Sequence, residues 1–428
     1  DAAVHTDWDR IDSDFISLTG FGSTLWHPAA APPVLLGDGA KLFHAIGVWR
    51  DRESGASVHT RVTLEYQGEL PNLTLLNGQH VALSASPETE DNPIGLHVAR
   101  GEAQSSTLAF AAPSIFIADR EESEGHGMRV FAEPHRAKET ETWQIAAGAV
   151  TPLMTKWFGE ERKRELLVVD LPEAADAPFN LDNILFYPLP AATPIALPPL
   201  LAHSLTHAYF VSPRVWLSQG VPQFMSSLWT EKNSGRDAAL AELDQARVPL
   251  ALAEPDKADA EGEPLISAVD EVYYRTKSTF VLWMLRSLME DDALGAALKQ
   301  YRAADDKSPK YFEQQCESAS HQDLEWFFND WVYRDKGLPS LSIVAVNSRA
   351  VPPSSYLVEI EVRNSGNAVA PVPVTVRAGE ATTTQRLRVP GQGSAVTRFV
   401  MPAKPDSVVV NDGTVPEAEV SKHEQKLQ

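Results

Sequence analysis

Up to about position 150, hydrophobic residues come in short alternating runs, such as 58–66 and 95–98, broken at short intervals by Gly, Pro, Asn and Asp. Alternation of period two places successive side chains on opposite faces of a strand, so this region is predicted as an all-β domain. From about 153 to 335 the spacing becomes helical, with long apolar stretches at 195–210, 219–229, 272–289 and 294–301. The acidic, Ala- and Pro-containing stretch 253–264 between two of these predicts a solvated loop to which no chemistry is assigned. After Gly337-Leu338-Pro339 alternation returns. Tyr356, Val358, Ile360 and Val362 share one face and Leu357, Glu359, Glu361 and Arg363 the other, and Val372, Val374 and Val376 repeat the pattern.

The fold class predicted is therefore multidomain α+β. Residues 1–150 form a β domain, 151–336 a mainly helical domain, 337–416 a small β-sandwich, and 417–428 a frayed polar tail. A chain of 428 residues that is 43% hydrophobic has enough apolar material for several cores.

Charge narrows the partners. Lys and Arg total 37 against 58 Asp and Glu, giving a formal net charge of -21 that repels phosphate backbones and anionic lipid. Nucleic acid is excluded as a partner, and so is membrane insertion, because no stretch approaches the roughly 20 apolar residues of a spanning helix. The sole cysteine, Cys316, rules out an internal disulfide framework and a Cys-rich metal cluster. The start Asp-Ala-Ala-Val is what removal of a signal peptide leaves, so an exported, periplasmic or extracellular protein is expected, with the cytoplasm as the alternative.

Residues 203–207 read His-Ser-Leu-Thr-His, and a helical period of 3.6 stacks imidazoles at i and i+4 on one face, as a helix does when it offers two nitrogens to one metal. Taken alone, the pair fits a structural pair of histidines as well as a metal site. Downstream, Trp216-Leu217-Ser218-Gln219-Gly220-Val221-Pro222-Gln223-Phe224 resembles the WLxEGxAxF segment of gluzincin zinc aminopeptidases, the alanyl aminopeptidase and leukotriene hydrolase-like metallopeptidases, in which an HExxH helix precedes it. Val272-Tyr273-Tyr274-Arg275-Thr276-Lys277 is similar to that family's helix with a catalytic tyrosine shortly before a lysine. Phe327-Phe328-Asn329-Asp330-Trp331-Val332-Tyr333 with Gly337-Leu338-Pro339 is similar to the exit from its catalytic domain. The resemblance implies an N-terminal β saddle, a thermolysin-like helical domain, a C-terminal β-sandwich and a zinc cofactor.

The departures are as specific as the matches. Where the family has the HExxH glutamate, which polarises a zinc-bound water and shuttles its proton, this chain has Ser204, which offers no carboxylate; losing a general base forfeits about 10²- to 10⁴-fold in rate. Where the third zinc ligand stands, it has Gln219, a neutral and weaker donor, and seven fewer residues separate it from His207 than in the family pattern. The substrate-amine motif GxMEN survives at most as Asn180-Leu181-Asp182-Asn183, with Asp182 at the glutamate's place and Asn183 beside it as substrate-binding candidates. Two residues before the lysine stands Arg275, with Tyr274 one step off as the catalytic candidate.

The resemblance thus implies metal candidates His203, His207 and Gln219 in a weakened site. One reading is a catalytically impaired pseudopeptidase that uses the cleft between its β saddle and helical domain to bind a peptide or protein. The alternative is an active zinc metallopeptidase with substituted ligand and base, Glu231 being one substitute considered. A serine hydrolase is excluded, because Ser204 and its neighbour His203 point about 100° apart on a helix and no nucleophile elbow is present. Trp283, Trp326 and Trp331 sit among apolar residues and are predicted as core. Asn364-Ser365-Gly366-Asn367 reads as a turn, and Trp26-His27-Pro28 carries no visible chemistry.

Overall fold

The structure, a computed structural model, describes residues 9–11, 14–18, 39–87, 95–107, 113–161, 163–173, 178–254, 262–420 and 422–427. Trp26-His27-Pro28 lies outside the described residues, as does most of the acidic stretch, 255–261. The chain divides into two compact units, the first made of residues 1–154 and 161–209, the second of 155–160 and 210–428. The expected border at 336 is not a border between compact units.

In the first unit an antiparallel sheet carries Phe15–Leu18, Ile115–Ala118 and Leu73–Leu76 at its centre. A second sheet sets Met128–Ala132, Leu166–Asp170 and Ile184–Tyr187 parallel, with antiparallel strands Glu121–Gly125 and Phe179–Leu181 at its edges. The two share a core of Phe15, Leu73, Leu75, Phe116, Phe131, Val169, Phe179, Ile184 and Phe186. A third, three-stranded sheet pairs Ser57–Tyr66 with His97–Thr107.

This unit is not all-β. Helix α1 spans Gly39–Glu53, and α2 spans Ala137–Phe158, so the boundary expected near 150 falls inside a helix. Trp143, Ala147, Val150, Met154 and Trp157 are all buried along α2 at spacings of four and three, the helical signature that the Thr residues and Pro152 obscure in the sequence. α2 joins the parallel strands Met128–Ala132 and Leu166–Asp170, the long crossover that parallel neighbours require. Helix α3, Leu197–Tyr209, completes the unit; its two prolines fall in the first turn, where their missing N–H groups have no intrahelical partner to lose.

In the second unit α4 runs Val215–Ser234, α5 Arg236–Ala253, α6 Ser278–Gln300, α7 Tyr311–Ser320 and α8 Glu325–Phe328. A π-helical turn, Val272–Lys277, leads into α6, which breaks at Glu290 (φ 68°, ψ 165°) between the two stretches that periodicity separates at 289 and 294. α5 falls between the apolar stretches 219–229 and 272–289.

The β-sandwich follows. One sheet holds Leu341–Val351, Ser355–Asn364 and Gly393–Met401, and the other Ala381–Val389, Ala370–Ala378, Ser407–Val410 and His423–Lys426. Val358, Ile360, Val362, Val372, Val374 and Val376 are fully buried, the face that alternation assigns to the core; Tyr356 is only half-buried. The expected frayed tail is corrected: His423–Lys426 is a strand, and Glu417 is buried, accepting from the Leu341 amide at 2.8 Å and the Asn411 amide at 2.8 Å, with the His423 ring at 3.0 Å.

Sandwich and helices are joined at Asp330-Trp331. The Trp331 indole donates to the Val369 carbonyl at 2.8 Å, and the Asp330 carboxylate accepts from the Val369 amide at 3.2 Å. Trp283 and Trp331 are core as predicted, whereas Trp326 is half-buried with the Arg388 guanidinium 4.0 Å above its ring.

Candidate functional site

The sequence-selected residues fall into both compact units: His203, Ser204, His207, Asp182 and Asn183 in the first, Gln219 and Tyr274 in the second.

In the first unit, Leu197, Leu201, Leu205 and Ala208 bury one stripe of α3. His203 and His207 meet edge to face on the same helix, ring centroids 5.5 Å apart and planes at 64°, His203 half-buried and His207 buried. Ser204 is fully buried, and its hydroxyl donates to the Asn180 side-chain carbonyl at 3.1 Å. The Ser204 hydroxyl is thus occupied by a neutral bond to the first residue of the Asn180–Asn183 segment.

That segment is a β-hairpin. Phe179 faces Phe186 and Leu181 faces Ile184, leaving Asp182-Asn183 as a two-residue loop, with Asp182 in the left-handed region at φ 55°. Asp and Asn tolerate that region because their short polar side chains bond locally. Arg164 grips both Asp182 carboxylate oxygens and also donates to the His207 carbonyl at 3.1 Å, and the Asn183 amide donates to the Glu165 carbonyl at 2.7 Å. Both candidate substrate-binding side chains therefore have local partners, and one arginine ties the hairpin loop to the end of α3. Nothing in the spacing of the motifs singles Arg164 out.

In the second unit, Gly220 lets α4 approach the start of α6: a Cβ there would lie 2.0 Å from the Ser278 hydroxyl oxygen. Ser278 in turn donates to the Tyr274 carbonyl at 2.7 Å and the Arg275 carbonyl at 2.9 Å. A π-turn inserts one residue into the helical register, so a motif position two before Lys277 cannot be read from α-helical spacing across Val272–Lys277. Tyr274 is buried there, and Arg275 is the side chain that meets Gln219: its guanidinium donates to Gln219 Oε1 at 3.4 Å while also pairing with Glu271. The Gln219 amide oxygen thus already accepts a hydrogen bond from a cation, and a metal ion there would be repelled by that charge, less strongly than in a sealed site because Arg275 is 33% exposed.

Glu231 is not a substitute. It lies twelve residues beyond Gln219 on α4, about 18 Å along the axis at 1.5 Å per residue. One of its oxygens binds Arg236 at 2.8 Å and the other pairs with Arg286. Among the described residues no group of three or more His, Cys, Asp or Glu side chains is placed to hold a metal ion.

The strongest electrostatic feature of this unit lies elsewhere. Lys277, fully buried, donates to Glu254 at 2.8 Å and to Asp335, and its ammonium sits 5.4 Å from the Tyr273 ring and 5.8 Å from the Trp331 ring. Burial pushes the Glu254 carboxyl up to about 7; Lys277 pulls the other way, and the Asp335 carboxylate adds to the rise. Glu254 belongs to the stretch expected as a loop without chemistry, so that expectation is corrected at this residue. The available signal was a lysine in an apolar run, which folding can bury only with partners.

No family profile matches the chain, and no curated protein matches it. Among solved structures the chain is similar to Legionella pneumophila aminopeptidase A in complex with aspartic acid, at 14% identity and a TM-score of 0.59, covering 85% of this chain and 44% of that one. An M1 zinc metallopeptidase from Deinococcus radiodurans matches at 16% identity over 67% of this chain and 66% of that one, TM-score 0.44. Native yeast LTA4 hydrolase matches at 14% over 65% and 47%, TM-score 0.41. The latter two overlaps are too loose to argue from, and identities this low speak to fold alone. The chain spans less than half the length of the Legionella protein. The fold it shares with the Legionella structure is multidomain α+β, with an N-terminal β-rich region and a helical region. No helix among the described residues is long and apolar enough to cross a membrane.

Proposed function

We propose that this chain is a catalytically impaired member of the zinc aminopeptidase fold class, a pseudopeptidase that binds a peptide or protein segment without hydrolysing it. The observation that carries this reading is the state of the two altered positions. Ser204 is buried against Asn180, and Gln219 Oε1 accepts from Arg275. A catalytic zinc requires three protein ligands and an open site, and its water requires a base. The chain supplies two imidazoles on α3, a neutral amide beside a guanidinium, and no carboxylate at the base position. This donor set does not fit a catalytic zinc. The adjacent pair His203 and His207 is the feature that favours the second reading, an active metallopeptidase with recruited groups.

Aminoacyl p-nitroanilides offered to the chain with and without added zinc distinguish the two. The expected result is release at the uncatalysed rate, unchanged in His207→Ala, together with saturable quenching of tryptophan fluorescence by short peptides. Turnover above background that His207→Ala abolishes would overturn the proposal.

A further inference from the structure

Within the second unit a cleft of about 740 Å³ opens between α5, the break in α6 and the strands Ala370–Ala378 and Ala381–Val389. Its charge is opposite to that of the chain. Against a net -21, the lining brings together Arg236, Arg377, Arg386 and Lys422 with three carboxylates, Asp237, Glu290 and Asp412. The four cations exceed the three carboxylates by one. Asp412 pairs with Arg236 at 2.7 Å, and Glu290 stands 3.7 Å from Arg386, an ion pair without a hydrogen bond. Arg377 makes no ion pair among the described residues.

Neutral donors line the same space. The Thr375 and Thr384 hydroxyls pair at 2.8 Å across neighbouring strands, and the Ser287 hydroxyl accepts from Arg386 at 3.1 Å. Arginine presents a fork of five N–H donors that matches carboxylate and phosphate oxygens two at a time. At the rim, Glu290 adopts φ 68° and ψ 165°, backbone space used essentially by glycine alone, and such strain in a non-glycine residue gathers where chains bind ligands.

We infer that this cleft is a binding site for a small polyanion bearing two or more carboxylate or phosphate groups, gripped by Arg377 and Arg386. The guanidiniums come from adjacent strands of one sheet, a rigid base that spaces them without a ligand present. Arg386 is 41% exposed, so the affinity is moderate and falls with salt. The site is independent of the α3 histidines.

The test is titration calorimetry of the whole chain with citrate and with inorganic pyrophosphate at low ionic strength, the tighter of the two naming the anionic group preferred. Expected are saturable binding of at least one probe, at least tenfold weaker in Arg377→Glu and in Arg386→Glu. Arg377→Lys should retain part of the affinity, Glu290→Gln should raise it, and Arg100→Glu, a change to an exposed arginine of the other unit, should leave it alone. Matched circular dichroism shows that the variants are folded. Absence of saturable binding up to millimolar probe overturns the site, as does binding that the two charge reversals leave unchanged or that Arg100→Glu weakens equally.

Discussion

Lys277→Met is expected to lower the stability of the second unit by about 3–5 kcal/mol, the range for removing one partner of a buried ionic group. Lys277 is fully buried, and Glu254 and Asp335 beside it are nearly as sheltered, so without the ammonium their carboxylates face a low-dielectric interior uncompensated. The deficit has a defined pH dependence. Glu254 titrates in the fold at about 7, above its ordinary value of 4.5, so the unfolded chain releases this proton first. The stability this group contributes is full below about pH 4.5 and is lost as pH rises through 7. The parent chain should therefore lose stability from pH 5 to pH 8 through Glu254, and Glu254→Gln should flatten that decline. Lys277→Met should be more damaging at pH 8 than at pH 5, because Glu254 takes up a proton in acid. Urea unfolding at the two pH values measures both; a Lys277→Met deficit below about 1 kcal/mol at pH 8 would mean that the cluster is not sealed.

Trp331→Ala carries the second large effect, about 3–5 kcal/mol, the cost of a large cavity in a packed core. Trp331 is fully buried, stacks on Phe327 and donates to Val369 in the sandwich, so the substitution also strands a carbonyl. Because the Lys277 ammonium lies over the same ring, the two substitutions should not be additive. Trp331→Phe, which keeps an aromatic ring but not the indole N–H, should cost less, and thermal unfolding should show helices and sandwich melting together in the parent chain. Two separate transitions in the parent would contradict the joint at Asp330-Trp331.

What could be read from the sequence followed from periodicity wherever one face is buried and the other is not. The strand Ser355–Asn364 and the helix α3 were legible for that reason. α1 and α2 were hidden by their position inside a β-rich region, and the parallel strands Leu166–Asp170 and Ile184–Tyr187 by lying amid helices. In the candidate site, the helical spacing of His203 and His207 and the presence of Ser204 and Gln219 rather than carboxylates were visible in the text alone. The partners were not. Arg164 reaches His207 and Asp182 from 43 and 18 positions away, and Arg275 reaches Gln219 from 56. Such pairings are set by tertiary packing and leave no local pattern, and the π-turn at Val272–Lys277 breaks the one register from which the tyrosine could have been placed.

On the proposed reading, two imidazoles, a serine and a glutamine beside an arginine do not make a catalytic zinc centre. Elemental analysis of the purified chain after dialysis against micromolar zinc tests this most directly, with the His203→Ala, His207→Ala double variant alongside. The account predicts zinc well below one ion per chain and no difference between the two proteins. One zinc per chain, lost in the double variant, would contradict it.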